Sequence, residues 1–224
     1  MPTLQEELIA LMLECDVLRF GDFATKSGRK SPYFIDTGRF RTGSQLARLA
    51  RLYARAIHAR LGDGFDVLFG PAYKGIPLAA AVAIALYQEH GRDVGYCYNR
   101  KEEKTHGERG TLVGHVLKDG DRVLVVEDVI TAGTSVRETL PLLRAAANAH
   151  VVGLVVSVDR MERGTTERNA LAEVGDGFGL DAFAIVTIDE ILAHLRGRSI
   201  GGRIVLDEDN YARCLAYRAE HGGS

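Results

Sequence analysis

Residues Arg122–Leu140 read RVLVVEDVITAGTSVRETL. The run Val123 to Val126 is apolar at successive positions, which predicts a central strand covered by helices on both faces of a sheet. Two carboxylates follow, Glu127 and Asp128, then a turn of small residues and a helix predicted over Ser135 to Asn148. In open α/β sheets ligands collect at the carboxyl ends of strands, and a helix N-terminus offers unpaired N–H groups at the positive end of its dipole. Thr131 to Ser135 therefore suit a phosphate: Gly133 permits close backbone approach, and the hydroxyls of Thr131, Thr134 and Ser135 add hydrogen bonds. Acids beside a phosphate cradle repel the anion unless they bind something else. A vicinal diol is a fitting partner, because it donates charge-assisted hydrogen bonds to carboxylates. A phosphorylated pentose would satisfy both halves, whereas a capped helix start explains only the letters TS before VRETL.

Outward from this stretch, short β-branched runs alternate with helical ones from about Asp66: DVLFG, a helix over Pro77 to Glu89, VGYCYN, RVLVVE, VVGLVVSV, a helix over Thr166 to Val174, and AFAIVTI. The alternation predicts an α/β fold with a mainly parallel central sheet flanked by helices. Ahead of it lie a helix over Leu4 to Cys15, extended pieces, and a helix over Ser44 to Leu61. The expected organisation is a single domain over 1–224: a small N-terminal hood mainly from 1–40, a core over about 44–200, and a terminal helix over about 207–221.

With 46% hydrophobic and 26% charged residues in 224, the composition is that of an ordinary globular chain. A formal net charge of -2 supplies no basic field for nucleic acid. Cys15, Cys97 and Cys214 form no C-x-x-C pair, which argues against a disulfide framework or a zinc site and for a reducing, cytoplasmic setting. The N-terminal segment carries glutamates in a helical rhythm, unlike a signal peptide, and the apolar run Gly75 to Tyr87 is too short to cross a bilayer. No membrane partner is expected.

Other phosphate motifs fail. There is no G-x-x-x-x-G-K-[ST], and GDGFG at Gly175 to Gly179 lacks the dinucleotide-binding spacing and follows a helix, so it reads as a plain turn. Three further segments carry charge. GPAYKGIPLAA places Lys74 between Gly70 and Gly75 at a helix start, where an isolated lysine reads as solvated. YNRKEEKTHGERG groups Arg100, Lys101, Lys104 and His106 with almost no apolar anchor, the composition of a surface loop that can close as a lid. FATKSGRKSPYFID offers Lys26 as a cation and the Phe34 ring as a flat face.

The strand, the two acids and the T-x-G-T turn of Thr131 to Thr134 resemble the type I phosphoribosyltransferases, and the lid and TKSGRKSPYF segments are similar to the orotate phosphoribosyltransferases within that family. The resemblance implies the type I phosphoribosyltransferase fold and transfer of the phosphoribosyl group of phosphoribosyl pyrophosphate (PRPP) to orotate. It implies PRPP contacts from Glu127, Asp128, Val129, Ile130, Thr131, Ala132, Gly133, Thr134 and Ser135, the acids at the ribose hydroxyls and Thr131 to Ser135 at the 5-phosphate. Pyrophosphate contacts are implied for Tyr73, Lys74, Arg100, Lys101, Lys104 and His106, with Lys101, Lys104, His106 and Asp128 catalytic; proton donation by His106 is open. Orotate contacts are implied for Lys26, Phe34, Ile35, Thr131 and Arg160; whether Lys26 meets the base or the pyrophosphate is open. Alone, Arg160 in SVDRMERG reads as a surface ion pair with Asp159 or Glu162. Mg²⁺ is implied as cofactor, held mainly by PRPP near Glu127 and Asp128, as is a homodimer that shares the lid between subunits. Glu127 stands where many members carry aspartate, and Ile35 where some carry an aromatic residue. A purine phosphoribosyltransferase has no reason for TKSGRKSPYF. A non-catalytic PRPP sensor would carry an added recognition domain or a damaged lid.

Overall fold

Helix α1 (Leu4–Glu14) opens on a reciprocal cap in which the Thr3 hydroxyl accepts from Glu6 N and the Glu6 carboxylate accepts from Thr3 N. The computed structural model describes residues 1–24, 30–100, 112–130 and 133–223. After α1, β1 (Leu18–Ala24) and β2 (Lys30–Ile35) pair as an antiparallel ribbon, and a 3₁₀ turn over Thr37–Arg39 leads into α2 (Gly43–Leu61). The alternating section then runs β3 (Val67–Gly70), α3 (Gly75–His90), β4 (Gly95–Asn99), β5 (Leu112–Gly114), β6 (Arg122–Val126), β7 (Val129–Ile130), α4 (Thr134–Ala146), β8 (His150–Asp159), α5 (Ala170–Phe178) and β9 (Asp181–Thr187). Helix α6 (Ile188–Leu195), a short hairpin of β10 (Ser199–Ile200) and β11 (Arg203–Ile204), and α7 (Glu208–His221) complete the chain.

The main sheet has seven strands, ordered β5-β4-β3-β6-β8-β7 with β9 also on β8, and is parallel except where β5 pairs with β4. Both faces are apolar. Leu68, Leu124, Val126 and Val155 pack in one core with residues of α1, α2, α3 and α6, while Val67, Phe69, Val123, Val125 and Leu154 share the other with α4 and α5. Alternate residues of one strand thus enter opposite cores, as a doubly covered sheet requires. Leu8, Ile9, Leu11 and Met12 of α1 are buried in the first core. Leu18 of β1 and Tyr33 of β2 are buried in the same core, so the β1–β2 ribbon, although a two-stranded sheet of its own, packs onto it. Among the described residues no helix is long and apolar enough to cross a membrane.

Two local expectations are corrected. The helix predicted from Thr166 begins at Ala170, because Asn169 caps it by accepting from Leu171 N and Ala172 N, while the Thr165 and Thr166 hydroxyls donate to Glu173. GDGFG is not a turn. It forms the end of α5, closed by Gly179 at φ +69, and a Cβ on Gly175 would come 3.0 Å from the Ala182 Cβ, so glycine lets the helix lie close on β9.

Candidate active site

Strand β6 does not stop at the acidic pair. Val126 pairs with Val155 and Val129 with Val158, so β7 continues the same register along β8 past Glu127 and Asp128. The backbone of the two acids is held from behind: Glu127 N donates to Val155 O at 3.0 Å, Ser157 N and Oγ donate to Asp128 O at 2.9 and 2.6 Å, and the buried Tyr53 hydroxyl donates to Glu127 O at 2.8 Å. These bonds fix the direction of both carboxylates.

The carboxylates have different environments. Glu127 is buried, accepting from Asp128 N at 3.1 Å and from the Ser135 hydroxyl at 3.1 Å. Burial first, and then the neighbouring Asp128 charge, push its carboxyl up to about 7. Asp128 accepts from the Thr37 hydroxyl, from Lys74 Nζ at 3.1 Å and from Val129 N at 2.8 Å. Burial opposes its charge, but the Thr37 hydrogen bond and the Lys74 ammonium outweigh burial and hold its carboxyl below the ordinary range. Environments that push two adjacent acids apart mark a site built for charge.

Lys74 comes from the loop between β3 and α3, which is pinched shut at its ends: a Cβ on Gly70 would meet Gly75 O at 2.1 Å. The loop is tied sideways to β4, because Ala72 N donates to Asn99 Oδ1 at 2.8 Å, and Arg100 follows directly at the same edge. Tyr73 is exposed. Lys74 Nζ also donates to the Thr37 hydroxyl at 3.1 Å, so Asp128 and Lys74, separate in the sequence, share one hydrogen-bonded triangle with Thr37. With Lys74 56% exposed, that ion pair is worth at most about 1 kcal/mol, and a ligand can displace it.

Gly133 caps α4 at φ +72, and a Cβ there would come 2.6 Å from Val174 Cγ2, so both conformation and packing demand glycine. Among the described α-helices, α1, α2, α5, α6 and α7 begin with a side-chain cap; α3 and α4 do not. The two helix starts without one are the two at the acidic pair and Lys74. The Ser135 hydroxyl, readable as a cap, is instead bound to Glu127. Thr134 stands at the first position of α4, Val129 and Ile130 form β7, and the Ile130 side chain is buried between α4 and the sheet.

On the base side, Asp159 pairs with Ile130, which puts Arg160 beside the start of the phosphate loop. Arg160 is no surface residue. It is 6% exposed, its Nε and Nη2 donate to Glu162 at 2.9 and 2.5 Å, and its guanidinium lies 4.7 Å from the centre of the Tyr33 ring. Asp159 is occupied elsewhere, by Met161 N and Asn169. The Phe34 ring stacks on Phe23 at 5.5 Å with Arg19 over both rings, so the flat face read as open to a pyrimidine already carries a neighbour. Ile35 packs against the first core. Lys26, Lys101, Lys104, His106, Thr131 and Ala132 lie outside the described residues.

The phosphoribosyl transferase domain family matches residues 37–180. An orotate phosphoribosyltransferase of Lachnoclostridium phytofermentans is 51% identical over 218 residues, 97% of either chain. The chain belongs to the orotate phosphoribosyltransferase family. Among solved structures, the orotate phosphoribosyltransferase of Francisella tularensis aligns at a TM-score of 0.80 and 35% identity, covering 96% of this chain and 98% of that one. The Mycobacterium tuberculosis orotate phosphoribosyltransferase in complex with PRPP aligns at 0.62 and 25%, covering 84% and 99%.

Three residues of this orotate phosphoribosyltransferase family site escape the sequence reading: Thr37, Tyr53 and Ser157. Only Ser157 left a signal, as a polar residue inside an apolar strand, where burial demands a partner.

The raised Glu127 carboxyl has a measurable consequence. The fold retains a proton that the unfolded chain releases near 4.5, so this group's contribution to stability falls as pH rises from about 4.5 to about 7. Glu127→Gln cannot ionise and should lose that slope, gaining about 1–3 kcal/mol relative to the parent between pH 5 and pH 8 in the absence of ligand. Urea unfolding at the two pH values measures it; parallel behaviour of parent and variant would refute the assignment.

Proposed function

We propose that this chain transfers the phosphoribosyl group of PRPP to orotate, yielding orotidine 5'-monophosphate and pyrophosphate for UMP synthesis. One observation carries the reading: two uncapped helix starts converge on a fixed carboxylate pair, with Lys74 hydrogen-bonded to Asp128. The 5-phosphate lies at the N-terminus of α4, the ribose diol donates to Glu127 and Asp128, and the pyrophosphate draws Lys74 away from Asp128. Arg160 meets the orotate carboxylate. The orotate phosphoribosyltransferase of Mycobacterium tuberculosis is solved in complex with PRPP, which supports PRPP as a ligand of this chain.

Cleavage of the bond from the anomeric carbon to pyrophosphate gives the ribose oxocarbenium character, as in glycoside hydrolysis, and a ring nitrogen of orotate attacks, its proton passing to the released pyrophosphate or to solvent. No protein nucleophile is needed. The Asp128 charge stabilises the developing cation, while Lys74 and Arg100, joined by Lys101, Lys104 and His106 from the lid, stabilise the departing pyrophosphate. Among the described residues no group of three or more acidic, histidine or cysteine side chains could hold a metal, so the acids present fit Mg²⁺ only together with donor oxygens. Mg²⁺ bound with PRPP would neutralise part of the pyrophosphate charge.

The active unit in this reading is a cytoplasmic homodimer whose segment 100–111 serves the partner's site. Asn99 and Leu112, which flank the lid, pair at the edge of the sheet. Three buried free cysteines fit a reducing compartment.

Orotate consumption on addition of PRPP and Mg²⁺, with adenine and hypoxanthine in parallel, tests the function. Orotate alone should be consumed, and chelation of the metal should stop turnover. Purine turnover, or PRPP binding with no base consumed, would overturn the proposal.

A further inference from the structure

The C-terminal helix reaches the base side through a buried polar cluster. Glu162, 7% exposed, accepts on one oxygen, Oε1, from Arg160 Nε and Nη2, from the Tyr217 hydroxyl at 3.0 Å and from the Tyr33 hydroxyl at 3.4 Å. The Tyr33 and Tyr217 rings meet edge to face, with centroids 5.6 Å apart at 82°. Downstream of Tyr217 the chain clasps the same segment: Gly223 N donates to Met161 O at 3.0 Å, Arg163 N to His221 O at 3.1 Å, and Arg218 binds both Met161 O and Asp189. Residues 160–163 are therefore held between β2 and the end of α7.

We infer that Tyr217 is a positioning residue for base recognition, acting through Glu162 to set the guanidinium of Arg160. This rests on the reading of Arg160 as the orotate contact. A free arginine side chain has about 2 kcal/mol of rotamer entropy to lose on binding, and one already fixed spares the ligand that loss. Nε and Nη2 are committed to Glu162, so the remaining nitrogen, Nη1, is the one that Glu162 leaves for a carboxylate. Removing the Tyr217 hydroxyl lets the Glu162 carboxylate turn, and Arg160 turns with it. The proposed phosphate and ribose contacts lie between β6 and β7 and around the starts of α3 and α4, outside this cluster. The effect should therefore fall on one substrate.

The test is steady-state kinetics of Tyr217→Phe, Glu162→Gln and Arg160→Lys, with both substrates varied and thermal unfolding recorded. Tyr217→Phe keeps the ring and should raise KM for orotate about 3- to 10-fold, the scale of one hydrogen bond, with KM for PRPP unchanged. Glu162→Gln should do the same or more. In an Arg160→Lys background, Tyr217→Phe should add nothing. If Arg160→Lys raises the orotate KM but neither Tyr217→Phe nor Glu162→Gln does, the positioning role is overturned. If both KM values rise together, Tyr217 is a general structural support and the inference fails. If Arg160→Lys leaves the orotate KM unchanged, the base-site reading fails, and this one with it.

Discussion

Asp128→Asn should lower kcat about 10²–10³-fold in a protein that still folds. The carboxylate accepts from the Thr37 hydroxyl and Lys74 Nζ on one oxygen and from Val129 N on the other. An amide can accept on one atom only, so either the Thr37–Lys74 side or the loop N–H faces a second donor. In the proposed reaction the substitution also deletes a negative charge beside a ribose that turns cationic as pyrophosphate leaves, a stabilisation that grows toward the transition state and so appears in kcat. Stability should change little, because Lys74 is half exposed and the lost ion pair was weak. Removing the Asp128 charge also relieves its repulsion of Glu127, whose carboxyl should then titrate lower. Steady-state turnover beside thermal unfolding measures both effects. A folded variant within tenfold of the parent kcat would exclude Asp128 from the transition state.

Much of this site was legible because its chemistry is local in sequence. The apolar run Val123 to Val126 dictated a doubly covered strand, Glu127 and Asp128 followed at once, and Gly133 sat where a left-handed residue opens a helix. What escaped depends on contacts between distant segments. Thr37 meets Asp128 across 91 positions, and the Tyr53 hydroxyl, on a helix that reads as plain core packing, meets Glu127 O across 74. Read without the family resemblance, Arg160 pairs with Asp159 or Glu162 on the surface. The pairing with Glu162 is present but buried, beneath Tyr33 of β2 and beside Tyr217 of α7, 55 positions from Glu162. Local cues can also be passed over: Thr187 and Glu190 form a reciprocal cap at the start of α6, a helix absent from the sequence reading. The start of α5 was misplaced for a related reason, since Thr166 and Asn169 are both good caps and only the tertiary pull of Glu173 on the threonines decides between them.

Lys101→Ala should be as inactive as Asp128→Asn, yet a mixture of the two dead proteins should regain about a quarter of the parent activity. Lys101 belongs to a segment whose cations are proposed to gather around the leaving pyrophosphate, where each charge counts most as the bond breaks. In a twofold dimer with shared lids, random exchange at equal concentrations makes about half of the dimers mixed. Each mixed dimer holds one site with intact Asp128 and an intact lid from its neighbour, and a second site with both defects. One working site in half of the dimers gives the quarter. If each lid closes over its own site, every site in every dimer carries one defect and nothing returns. Exchange can be verified independently by mass spectrometry of differently tagged subunits, so absence of recovery in a mixture proven to contain mixed dimers would place the lid in its own subunit. The position of β5 favours recovery, because the paired residues Asn99 and Leu112 flank the lid at what is, among the described residues, the edge of the sheet.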